Sequence, residues 1–199
     1  MTYRHSLQGP CRLFIQMSGA PGSGKSTMAR LLRQSIGGLV VDHDVFRTAL
    51  LEHNDVAFDQ VAKRAYHLQW SLAEDAMRQG LNVIIDSTCN FQEVLDQGSS
   101  LAEKHGFAYW YVECKVEDID VLDERLRSRD SIKSQRTGVD RPSTAAARHA
   151  RAGEDSRALF KKWIENPCRP KHNAIVVDSR GDPEIHRDHI LKRIAGQPR

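Results

Sequence analysis

Short apolar runs alternate with helical patterns along most of this chain. The runs are Arg12 to Ser18, Leu39 to Asp42, Leu81 to Asp86, Phe107 to Cys114 and Ala174 to Asp178. Each has the length of a strand, and most end on a polar or charged residue. The clearest helix is Phe58 to Gln79, with Phe58, Val61, Ala65, Leu68, Leu72 and Ala76 in one apolar stripe. Ala62, Tyr66, Trp70, Ala73 and Met77 form a second stripe beside it, so a wide face is expected to be covered. Gly80 follows where a helix-ending glycine belongs. Lys25 to Ile36, Val45 to Glu52, Phe91 to Lys104, Ile119 to Arg129 and Pro183 to Ile194 read as further helices, and Ser143 to Ile164 as helical over most of its length. Strands alternating with helices imply βαβ units, hence an α/β fold with a mainly parallel five-stranded sheet and helices on both faces. Ligands of such sheets bind beyond the carboxyl ends of the strands. That rule gathers Ser18 onward, Asp42 to Asp44, and Asp86 to Asn90 on one rim.

The chain has 199 residues, 40% hydrophobic and 28% charged. That is enough to bury a core as one domain, 1–199, without disulfide staples. No apolar run is long enough to span a bilayer, and the first residues lack the apolar core of a signal peptide. Cys11, Cys89, Cys114 and Cys168 are scattered with no CxxC spacing, which suits reduced thiols and a cytoplasmic protein. The net charge is +3, but it is unevenly placed. Between Arg125 and Arg151 there are eight Lys or Arg and two acids, so one local surface is strongly basic. Within it, 130–142 is polar, has no apolar period, and contains Gly138 and Pro142. This composition suits a mobile basic lid.

The most specific pattern is Gly19-Ala20-Pro21-Gly22-Ser23-Gly24-Lys25-Ser26-Thr27. It fits GxxxxGK[ST], between a strand and a helix, where that motif cradles phosphate. Glycines let backbone N–H groups converge on one anion at a helix N-terminus. Lys25 would reach the β and γ oxygens and Ser26 would ligate Mg²⁺. Asp86, ending the apolar strand "VIID", is the second metal-side group expected, and ATP is the nucleotide expected, there being no N-K-x-D guanine signature.

The second strand ends at Asp42-His43-Asp44, with Arg47 one turn later. Asp44 sits where it would cap a helix, and where a carboxylate would orient or deprotonate an acceptor hydroxyl. Both roles are open to it. Arg47 would hold an anionic group. Alternation turns His43 away from Asp42 and Asp44. Arg125 and Arg129, four apart, share a helix face suited to neutralising transferred phosphate, with Arg127 rotated away. Arg136 and Arg141 are weaker candidates in the lid. His186 and His189 read as an exposed polar face, Trp70 and Trp110 as core, and Trp163 as core or ligand-stacking.

"GAPGSGKST", the Asp-x-x-Arg of Asp44 and Arg47, "VIIDSTCN" and "DERLRSRD" together resemble the small P-loop kinases. This group includes AAA-domain proteins, polynucleotide 5′-kinases, zeta-toxin-type kinases and chloramphenicol phosphotransferase. The resemblance implies a three-layer P-loop NTPase fold, with Asp44 as general base and Arg125 and Arg129 in a lid over the phosphates. The group's D-x-T-N motif carries an insertion here, Cys89, so either Thr88 or Asn90 takes the substrate-facing place. The reading is an ATP-dependent kinase acting on a hydroxyl of a small molecule. Nucleic acid is a less favoured acceptor, because the basic segment lacks aromatics to stack bases. A nucleotide-binding switch is the alternative from another class.

Overall fold

A computed structural model describes residues 12–52, 58–143 and 155–196. Five strands and seven helices run through these residues. They are β1 (Leu13–Ser18), α1 (Lys25–Ile36), β2 (Leu39–Asp42), α2 (His43–Glu52), α3 (Phe58–Arg78), β3 (Val83–Asp86), α4 (Gln92–His105), β4 (Ala108–Lys115), α5 (Ile119–Ser128), α6 (Ser156–Glu165), β5 (Ala174–Asp178) and α7 (Pro183–Ala195). The sheet is wholly parallel, in the order β2-β3-β1-β4-β5. The strand order reverses around β1, so the crevice for a ligand opens beyond the carboxyl end of that strand.

All six residues of β1 are buried, as expected of a central strand covered on both faces. Leu13, Ile15 and Met17 pack with Met28, Ala29 and Leu32 of α1 and Ile190 of α7. Phe14 faces the other layer, with Ala73, Ala76 and Met77 of α3 and Leu101 and Ala102 of α4. The sequence stripes on α3 need one correction. Leu68 and Leu72 are exposed, and the buried line runs through Val61, Ala65, Gln69, Ala73 and Met77. The polar residue in the middle of that line, Gln69, is fully buried beside His43. Gly80 ends α3 as expected: its N–H meets the Met77 carbonyl and the Leu81 N–H meets that of Ala76. Half of the segment read as a long helix from Ser143, residues 144–154, lies outside the described residues, as do Arg148, Arg151 and Cys11.

Candidate phosphate and acceptor site

A cavity of about 780 Å³ opens at the carboxyl ends of β1, β2 and β3. Its phosphate end is the turn from β1 into α1. Pro21, Gly22, Gly24, Lys25, Ser26 and Thr27 line the cavity, while Ala20 and Ser23 are buried behind the turn. Glycine is required at two of these positions by close approach. A Cβ on Gly19, at φ +131°, would stand 2.2 Å from the Cys114 carbonyl oxygen, and one on Gly22, at φ +84°, 2.9 Å from that of Leu122. The Lys25 ammonium folds back to donate to the carbonyls of Gly19, at 2.9 Å, and Ala20, at 3.1 Å. Burial pulls the Lys25 ammonium below its ordinary value, opposed chiefly by the charge of Asp86.

Asp86 closes β3, is buried, and accepts a hydrogen bond from the Ser26 side chain. Burial raises its carboxyl, against the pull of Lys25. Asp42 stands opposite it in register, and burial, then the Asp86 charge, pushes Asp42 up to about 6. Ser26, Asp86 and Asp42 thus offer only hard oxygens. Among the described residues no three acidic, His or Cys side chains form a metal cluster by themselves. That set suits Mg²⁺, which keeps waters and takes phosphate oxygens rather than a full protein cage.

The start of α2 departs from expectation. Helix begins at His43, and the cap is Asp42, whose Oδ1 accepts the Asp44 N–H at 2.9 Å. An aspartate bonding the backbone two residues on makes this local turn. Asp44 therefore does not cap the helix, and its carboxylate is left for other partners. His43 does not follow strand alternation either. Its ring lies 4.1 Å from that of Tyr66, buried on the cavity wall, and burial lowers it to about 4. It is neutral at physiological pH.

Away from the phosphate turn the cavity is lined by Asp44, Arg47, Tyr66, Thr88, Asn90 and Phe91. The buried Arg47 Nε has no hydrogen-bond partner among the described residues. Cys89 settles the altered motif. Its side chain turns into the core with Val94, Leu95 and Tyr111, its thiol 3.4 Å from the Met17 carbonyl. Thr88 and Asn90, on either side, both line the cavity. The extra residue is absorbed by the core rather than by the wall.

Arg125 and Arg129 also line the cavity. Arg125 donates to the Ser179 carbonyl at 2.9 Å, and Arg129 to that of Arg136 at 3.0 Å. Arg127 is turned away as expected, paired with Asp123 and Asp140. The segment 130–142, read as a lid, packs against α5 and α6. Val139 is buried against Leu122, Leu126 and Phe160, and the Arg136 guanidinium lies 5.4 Å over the Phe160 ring. Arg136 lines the cavity; Arg141 is not among the residues that do.

The sequence pattern of the AAA domain family matches residues 14–153. The chain belongs to this AAA domain family. Solved structures similar to it share the P-loop kinase fold. A Chloroflexus aurantiacus protein classed as a kinase has a TM-score of 0.70 and 17% identity, over 95% of this chain and 99% of its own. The APS kinase of Mycobacterium tuberculosis, in complex with AMPPNP and APS, has a TM-score of 0.61 and 18% identity, over 94% of this chain and 100% of its own. A curated relative, the mouse 2′,3′-cyclic-nucleotide 3′-phosphodiesterase, is 28% identical over 139 residues, which are 66% of this chain and 32% of that protein. The chain thus spans about a third of that relative's length.

Several cavity residues of this AAA domain escaped the sequence reading. Tyr66 belonged to an apolar stripe, and Ser134 and Gln135 to a segment with no periodicity. Their partner Thr48 was legible in principle, since Asp44, Thr48 and Leu51 fall on one face of α2 at helical spacing. His186, read as exposed, lines the cavity with its Nε2 buried, because α7 starts at the rim behind Gly181. Trp163 lines the cavity and packs 5.1 Å from Phe160, so it is both core and wall. Among the described residues no helix is long and apolar enough to cross a membrane.

Proposed function

We propose that this AAA domain is an ATP-dependent phosphotransferase that moves the γ-phosphate of ATP to a hydroxyl of a small molecule. One observation carries the reading. Asp44, which is not the helix cap, shares a single cavity with the phosphate loop and with the vacant donor of Arg47. A nucleotide switch needs the loop alone; a transferase needs a carboxylate facing it.

Lys25 leaves its loop carbonyls for the β and γ oxygens, and the loop N–H groups hold the leaving phosphates. Ser26 and Asp86 would hold Mg²⁺, which supplies charge neutralisation across the β and γ phosphates. Asp44 takes the proton of the acceptor hydroxyl as that oxygen bonds to the γ-phosphorus. The bond from phosphorus to the β–γ bridging oxygen breaks, and ADP leaves with the electron pair. Arg125 and Arg129 stabilise the equatorial oxygens under the lid, which excludes water. Arg47 anchors an anionic group of the acceptor beside Thr88 and Asn90. The base of ATP would lie toward Trp163, Arg136 and His186.

A polynucleotide acceptor is less well supported, because the basic segment between Arg125 and Arg151 has no Phe, Tyr or Trp on which bases could stack, and several of its cations already have partners in the fold. Arg125, Arg129 and Arg136 bond carbonyls, Lys133 bonds the Leu51 carbonyl, and Arg127 is paired with acids. The test is γ-labelled ATP with Mg²⁺ and either a deproteinised metabolite extract or a 5′-hydroxyl oligonucleotide. Label should enter organic phosphate from the extract. Slow release of inorganic phosphate, unchanged by either mixture, would instead identify a switch.

A further inference from the structure

The lid is fastened to α2 at one turn. The Ser134 hydroxyl donates to the Asp44 carbonyl at 3.0 Å and accepts from the Thr48 hydroxyl at 3.0 Å. The Ser134 N–H donates to Thr48 Oγ1 at 3.2 Å, and Lys133 Nζ reaches the Leu51 carbonyl at 3.0 Å. A threonine within a helix commonly bonds the carbonyl four residues earlier. Here Ser134 inserts into that place, between Thr48 and Asp44. Ser134 is only 4% exposed, so the joint is sheltered from water. The next residue, Gln135, then delivers its Nε2 to Asp44 Oδ2 at 3.1 Å.

We propose that Gln135 is a positioning residue for the base. With the lid seated on α2, its amide fixes one carboxylate oxygen of Asp44 and turns the other toward the acceptor hydroxyl. This rests on the reading of Asp44 as base. Seating the lid and aiming the base are then one event, so proton removal is timed to a covered cavity. A glutamine suits the task because the charges around Asp44 are already set by Asp42, Asp86, Lys25 and Arg129. A neutral amide adds direction without another charge, which a lysine or arginine would not. The joint also gives Thr48 and Ser134, neither of them chemically reactive here, a part in the timing.

Transfer from γ-labelled ATP to the metabolite extract is measured for Gln135→Met, Gln135→Glu, Asp44→Asn and the Gln135→Met/Asp44→Asn pair. Gln135→Met keeps the size but not the donor. Its maximal rate should fall about 10- to 100-fold, the worth of a hydrogen bond to a charged group, with the KM for ATP unchanged. Gln135→Glu keeps the shape, sets a second carboxylate against Asp44, and should fall further. The pair should be no slower than Asp44→Asn alone, and the side-chain amide resonances of Gln135 should move in Asp44→Asn. If Gln135→Met transfers within about two-fold of the native protein while Asp44→Asn is inactive, the positioning role is overturned and the base stands. Normal transfer by Asp44→Asn removes the base itself, and the positioning role with it.

Discussion

Asp42 and Asp86 face each other in register across β2 and β3, and burial, reinforced by this pairing, raises the Asp42 carboxyl to about 6. A carboxyl raised in the folded state favours folding while protonated. Its contribution is complete below the unfolded value of 3.8 and is lost as pH rises through about 6. Asp42→Asn keeps the oxygen that accepts the Asp44 N–H and removes the charge. The nucleotide-free variant should be more stable near neutral pH by about 1 kcal/mol, after discounting for the partial exposure of Asp42. The gain should vanish near pH 4 in thermal melts across that range.

Lys25→Ala and Asp44→Ala should each lower phosphoryl transfer by at least about 10²–10³. The two should separate in binding. Lys25→Ala should weaken a fluorescent ATP analogue, whereas Asp44→Ala should bind it normally. Near-normal transfer by Asp44→Ala would remove that carboxylate as base.

Gly19→Ala and Gly24→Ala should differ sharply. Both glycines have positive φ, but a Cβ on Gly19 meets the Cys114 carbonyl, whereas one on Gly24 meets nothing within 4 Å. Gly24→Ala should cost about 1 kcal/mol, and Gly19→Ala about 3 kcal/mol or more. Denaturant melts compare them directly.

Burial pushes the Cys89 thiol up to about 12 and the Cys114 thiol up to about 11. Neither forms thiolate at neutral pH. Iodoacetamide should leave both unmodified in the native protein and alkylate them on unfolding, as peptide mass spectrometry would show. Cys168, partly exposed, should react in the folded state.

Thr48→Val removes the hydroxyl that both donates to and accepts from Ser134 while keeping the side-chain size. The lid should loosen, and trypsin should cut after Lys133 and Arg136 several-fold faster than in the native protein. Helix content by circular dichroism should not change.

Much of the fold was legible because strand ends and helix stripes are local properties. The five strands appear within about two residues of their expected limits, and Lys25–Ile36 and Leu39–Asp42 appear at them. The phosphate loop was legible because its chemistry dictates residue types at fixed spacing. Three things were not. The cap of α2 passed from Asp44 to Asp42 because only geometry decides which of two neighbouring aspartates reaches the free N–H. Cys89 looked like a change in the wall but is a filler of the core, a distinction set by the layer behind β3. Ser134 and Gln135 meet Asp44 across some ninety positions of sequence, and no periodicity reports a contact of that range.

Helix α5 supports the phosphate turn from below. The Leu122 carbonyl and the Leu126 side chain both crowd the position of Gly22. Arg125 and Arg129 each follow one of these leucines by three places, so the same rod sets the floor of the turn and the arginines above it. Arg125 lies within the helix and Arg129 is its C-cap, so the helix end sets where both are presented. Lengthening the rod by one residue between Leu122 and Arg125 would swing Leu126 and both guanidinium groups about 100° around its axis while leaving only the Leu122 carbonyl in place. The length of this short span therefore cannot change without uncoupling the floor of the turn from the arginines beside it.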